Sequence, residues 1–120
     1  MNILFIEKTY DTPEIMLNKK DGIFEISGRS LPEDAVGFYS PVIDWLGQYA
    51  SSPNESTDFT FKLEYANSAS AKLILKILRQ LEAIKGAKVV WYSAEEDEEL
   101  EETGREYSED VKIPFEFRTY

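Results

Sequence analysis

The chain has 120 residues, 42% of them hydrophobic, with no cysteine and no histidine. That length buries a core without disulfides or metals. The missing residue types exclude thiolate nucleophiles, cysteine metal sites, phosphohistidine relays and the commonest general base. A formal charge of −10 sets the surface against nucleic acid and anionic lipid, so neither nucleic acid nor membrane is an expected partner.

The first apolar burst, Asn2 to Glu7 (NILFIE), reads as a strand; it is too short for a signal-peptide core or a membrane span. A single cytoplasmic domain over residues 1–120 is the expectation. Glu14–Asn18 and Ile23–Ser27 flank Lys19-Lys20-Asp21-Gly22, and Asp-Gly between apolar runs predicts a hairpin. Gly28 is expected to end its second arm. Ser30 and Glu33 have the spacing of a capping box, with Pro32 in a first helical turn. Val36, Tyr39, Val42, Ile43, Leu46 and Tyr49 then form a helical stripe. Pro41 is expected to kink or restart that helix, with Ser40 as a second cap.

After a loop at Ser51–Asn54, Phe59, Phe61, Leu63 and Tyr65 share one parity and predict a half-buried strand. Leu73, Ile74, Ile77, Leu78, Leu81 and Ile84 recur at helical spacing, with Lys72, Lys76, Arg79 and Gln80 opposite, and Gly86 stops that helix. Ala87–Tyr92 reads as a central strand, Glu95–Glu102 as a solvated acidic helix or its first turn, and Pro114–Tyr120 as a last strand. A hairpin followed by βαβ units implies an α/β fold with a mixed sheet and helices mainly on one face.

Chemistry is sparse. The six glycines form no phosphate-binding loop. The acidic run lacks the interleaved ligands and glycine of a calcium loop, so no metal and no cofactor is expected. Ser68 and Ser70 lack a histidine; Lys72 could in principle serve as base, which would require a deep polar pocket beside Ser68. What stands out is the junction YANSASAK, where a strand gives way to a helix. Asn67, Ser68 and Ser70 fall at a helix N-terminus. They are a cap contributing about 1 kcal/mol, or a place where free N–H groups and the dipole accommodate a phosphoryl group. Ala66, Ala69 and Ala71 are small enough for another protein to approach closely.

Five stretches, YDTPEI, ISGRSLPEDAVGFYSPVIDWL, FKLEYANSASAKLILKILRQLE, AKVVWYSAEEDEELEETGREY and IPFEF, together resemble the SiaC family of bacterial regulatory phosphoproteins over nearly the whole chain. The resemblance implies a fold similar to STAS domains and a regulatory module without enzymatic activity or a small-molecule substrate. It implies phosphorylation by a serine/threonine protein kinase, removal of the phosphate by a PP2C-like phosphatase, and an unphosphorylated form that binds and activates a diguanylate cyclase in cyclic-di-GMP and biofilm control. The phosphorylated hydroxyl of that motif falls on Ser68, where the family pattern usually has threonine, with Ser70 as the alternative. Asn67, Ala69, Ser70, Lys72 and Arg29 are the candidate partner contacts. The second reading is an anti-sigma factor antagonist in a partner-switching transcription pathway.

Overall fold

Strands and helices follow one another so that each new strand joins the sheet beside the previous one. The computed structural model describes all of residues 1–120. The elements are β1 (Leu4–Ile6), β2 (Glu14–Asn18), β3 (Ile23–Ser30), α1 (Ala35–Tyr49), β4 (Thr57–Ala66), α2 (Ser68–Glu82), β5 (Ala87–Ser93), α3 (Glu98–Asp110) and β6 (Phe115–Thr119). The sheet order is β1-β2-β3-β4-β5-β6. The first two pairings are antiparallel and the last three parallel. Three successive parallel crossovers in one direction, with the usual right-handed sense, put all three helices on the same face. α1 and α2 share one core cluster, and the bonds from Tyr107 of α3 to Ala71 of α2 and from Arg79 of α2 to Asp110 of α3 set α3 beside α2. The mixed sheet with helices on one face is as the sequence predicts.

Alternation decides which side chains meet the helices. Phe59, Phe61 and Leu63 of β4 and Val89 and Trp91 of β5 point into the core. They meet Tyr39, Val42, Leu46 and Tyr49 of α1 and Ile74, Ile77, Leu78 and Leu81 of α2 in one cluster. The other sheet face carries no helix. Its polar ladder includes Lys62–Glu25 at 3.8 Å and Lys88–Glu116 at 3.4 Å, exposed pairs of small energetic weight.

Several expectations are corrected. β3 does not end at Gly28 but runs to Ser30, shifting register between Gly28 and Arg29. Gly28 has φ +113, and a Cβ there would lie 3.0 Å from the Lys8 side chain, so glycine lets the residue 7–13 loop cross the strand. Ser30 forms no capping box. It is still in the strand, and α1 is capped by Asp34, whose carboxylate accepts from the Gly37 amide at 3.1 Å. Pro32 therefore precedes the helix instead of opening it. α1 also runs without interruption through Pro41, and Ser40 caps nothing; packing of Tyr39, Val42 and Leu46 into the core holds a helix that local propensity alone would break. The acidic helix begins at Glu98, three residues later than the acidic run, and extends to Asp110. Asp97 is its cap, accepting from the Leu100 amide at 2.9 Å. Glu98, Glu99 and Glu101 occupy its positive end.

Candidate functional site

Strand β4 ends at Ala66 and α2 begins at Ser68, with Asn67 between them as N-cap. The Asn67 amide donates to the Ser30 carbonyl at 3.0 Å, fastening the junction to the end of β3. The Asn67 side-chain oxygen accepts from the Ser70 amide at 2.9 Å, and its carbonyl accepts from the Ala71 amide at 2.9 Å. The Ser68 and Ala69 amides thus remain the free donors of this helix end.

The two serines have opposite fates. Ser68 and Ala69 are exposed. Ser70 is completely buried: its hydroxyl donates to the Ser30 carbonyl at 3.1 Å and accepts from the Ser30 hydroxyl at 2.8 Å. With the Ser30 proton so committed, the Tyr39 phenol donates to Ser30 Oγ at 2.6 Å. Burial raises the Tyr39 pKa, an effect that the Ser30 and Ser70 hydroxyls only partly offset, and so keeps it a donor. This chain of three hydroxyls ties α1, β3 and α2 together inside the core. Ser70 is therefore neither an alternative phosphate acceptor nor a partner contact, because no modifying protein reaches it.

The surface around Ser68 is not flat. A cleft of about 260 Å³ opens between the start of α2 and α3. Tyr65, Ala66, Asn67, Ser68 and Ala71 form one wall; Leu100, Thr103 and Tyr107 form the other. Tyr107 holds the far side by donating to the Ala71 carbonyl at 3.0 Å. Burial, followed by the Tyr39, Asp110 and Glu106 charges, pushes its pKa up to about 12. Glu64, Asp97 and Glu99 also line the cleft, with no lysine or arginine. Lys72 is exposed on α2 away from it, so the Ser68–Lys72 pair is not assembled in a polar pocket.

Arg29 lies on the neighbouring strand, half-buried, paired in register with Tyr65 and stacked over Tyr10. The sequence places Arg29 near the junction but does not reveal Tyr10, Tyr65, Asp97 or Tyr107 as its neighbours. Nor does it reveal Ser30 as an interior anchor; the one signal was a serine at the end of an apolar strand with a tyrosine nine residues on.

The profile of the family described as SiaC family regulatory phosphoprotein matches residues 6–120. An uncharacterized protein of Pseudomonas aeruginosa (strain UCBPP-PA14) is 30% identical over 119 residues, covering 96% of this chain and 94% of its own length. Among solved structures, the diguanylate cyclase SiaD in complex with its activator SiaC from P. aeruginosa contains a similar chain, 27% identical, with a TM-score of 0.91 over 98% of this chain and 99% of that one. Apo-SiaC from the same organism is 25% identical with a TM-score of 0.86, again over 98% and 99%.

Proposed function

This chain belongs to the SiaC family of regulatory phosphoproteins, and we propose that it is a non-enzymatic phospho-switch whose unphosphorylated form binds and activates a diguanylate cyclase. A serine/threonine kinase adds a phosphoryl group to Ser68 and a PP2C-like phosphatase removes it. The observation that carries this reading is the contrast at the α2 N-terminus: Ser68 is exposed beside two unpaired amides, whereas Ser70 is sealed. A similar chain is described as the activator in a complex with its cyclase, which supports the choice of partner.

The electrostatics supply the direction of the switch. A phosphoryl group carries about −1.5 to −2 charge. It can be tolerated by the free amides and the helix dipole, so the fold survives. It also joins Glu64, Asp97 and Glu99 in a cleft that no cation lines. A partner fitted against a neutral hydroxyl must then desolvate a dianion, which is costly without an opposing charge. The phosphorylated form therefore releases the cyclase while leaving Ser68 in reach of the phosphatase.

Incubation with the cognate kinase should yield one species heavier by a single phosphoryl group, read by intact mass. Ser68→Ala should abolish that species, stay within about 0.5 kcal/mol of wild-type stability and bind the cyclase constitutively. Ser68→Asp should bind it poorly. Full phosphorylation of Ser68→Ala, or wild-type affinity in Ser68→Asp, overturns the assignment.

A further inference from the structure

The end of the sheet that carries Ser68 also carries an arginine without an acid. The chain has 23 acidic and 13 basic residues, so carboxylates are plentiful. Arg79, Arg105 and Arg118 each have one, at 3.7, 3.4 and 2.5 Å. Arg29 forms no ion pair, and its Nε is buried with no acceptor. A buried donor without an acceptor is a standing cost to the fold. Its guanidinium carbon lies 5.2 Å from the centre of the Tyr10 ring, a cation–π contact that takes up none of its N–H donors. Tyr10 is 79% exposed and Tyr65, the register partner of Arg29, is 51% exposed. Tyr65 also lines the cleft that holds Ser68, so tyrosine, arginine, tyrosine and the switch serine run along one end of the molecule. Two exposed tyrosines around an unpaired arginine have the composition of an interface anchor.

We infer that Tyr10, Arg29 and Tyr65 anchor the partner surface, and that what seats there is an aspartate- or glutamate-bearing segment of the cyclase, its carboxylate on the Arg29 fork between the two rings. This rests on the cyclase-binding function proposed above. It also accounts for the sign of the switch: a dianion on Ser68 opposes an incoming carboxylate at the same end of the molecule, an effect that added salt weakens.

The test is the affinity of the diguanylate cyclases of the source organism for wild type, Arg29→Leu, Arg29→Lys and Tyr65→Ala, with melting temperature measured beside each. Arg29→Leu removes the unpartnered N–H, so its melting temperature should equal or exceed wild type, while cyclase affinity falls at least about thirtyfold. Arg29→Lys, which keeps charge but loses the fork, should recover part of that loss, and Tyr65→Ala should weaken binding about tenfold. Arg29→Leu binding within about threefold of wild type overturns the anchor while leaving the phospho-switch standing. Loss of melting temperature together with binding also overturns it, because the arginine would then be structural. If wild type binds none of these cyclases, the anchor and the proposed function fall together.

Discussion

Helices α2 and α3 lie side by side on one sheet face, yet they are held by different physics. α2 buries Ser70, Ile74, Ile77, Leu78 and Leu81 and is part of the continuous core. α3 buries only Gly104. It rests on the sheet through that glycine, where a Cβ would come within 2.5 Å of the Trp91 ring. Three further ties hold it: the Trp91 Nε1 bond to the Leu100 carbonyl at 3.1 Å, the Tyr107 bond to Ala71 and the Arg79 bond to the Asp110 carbonyl at 2.9 Å. The cleft with Ser68 lies along the seam between the two. The firmly buried α2 presents the Ser68 hydroxyl, and the lightly attached acidic α3 forms the opposite wall. Stability and responsiveness are thus assigned to adjacent elements, because a segment with little apolar burial opens at low free-energy cost.

The largest effect that sharpens this contrast is on the α2 side. Ile77→Ala should cost about 3–4 kcal/mol in global unfolding free energy, measured by urea denaturation, since Ile77 is fully buried. Gly104→Ala should cost less, about 1–3 kcal/mol. Its signature should be local: faster amide exchange across α3 while α2 stays protected. Equal exchange in both helices would break the contrast. Smallest is the response to alkali. The Tyr107 pKa is raised to about 12 from 10.0. For a group neutral when protonated, the raised folded value means its stabilisation is present below pH 10 and lost between pH 10 and 12. The melting temperature should fall across that window, and Tyr107→Phe should flatten the slope. With no histidine in the chain, no comparable step is expected between pH 6 and 8.

Much of the architecture was legible because it rests on periodicity. The alternation in β4, the helical recurrence in α2 and the Asp21-Gly22 turn each point to one element type, and each formed. The failures share a cause. Local rules make Ser30 a cap and Pro41 a breaker, but their roles are set by partners distant in sequence. Ser30 is drawn into the interior by Ser70 forty residues away, and the buried stripe of α1 carries that helix past Pro41. At the candidate site, the position of Ser68 at a helix start was readable. The difference between Ser68 and Ser70 was not, because two residues on a helix differ by about 200° in direction, and which direction is inward depends on where β3 and α1 pack. Tyr10 is invisible for the same reason: its nearness to Arg29 is created by a loop crossing a glycine.

The sheet order, in which spatial neighbours are also chain neighbours, bears on how the molecule assembles during synthesis. Each strand emerging from the ribosome finds its docking edge already built, so no pairing waits for a distant segment and loop-closure entropy stays small. The Tyr39, Ser30 and Ser70 linkage can form once α2 has emerged, before α3 leaves the exit tunnel. Ser68 is therefore positioned by the earlier-made portion of the polypeptide, and the acidic wall is laid against it last.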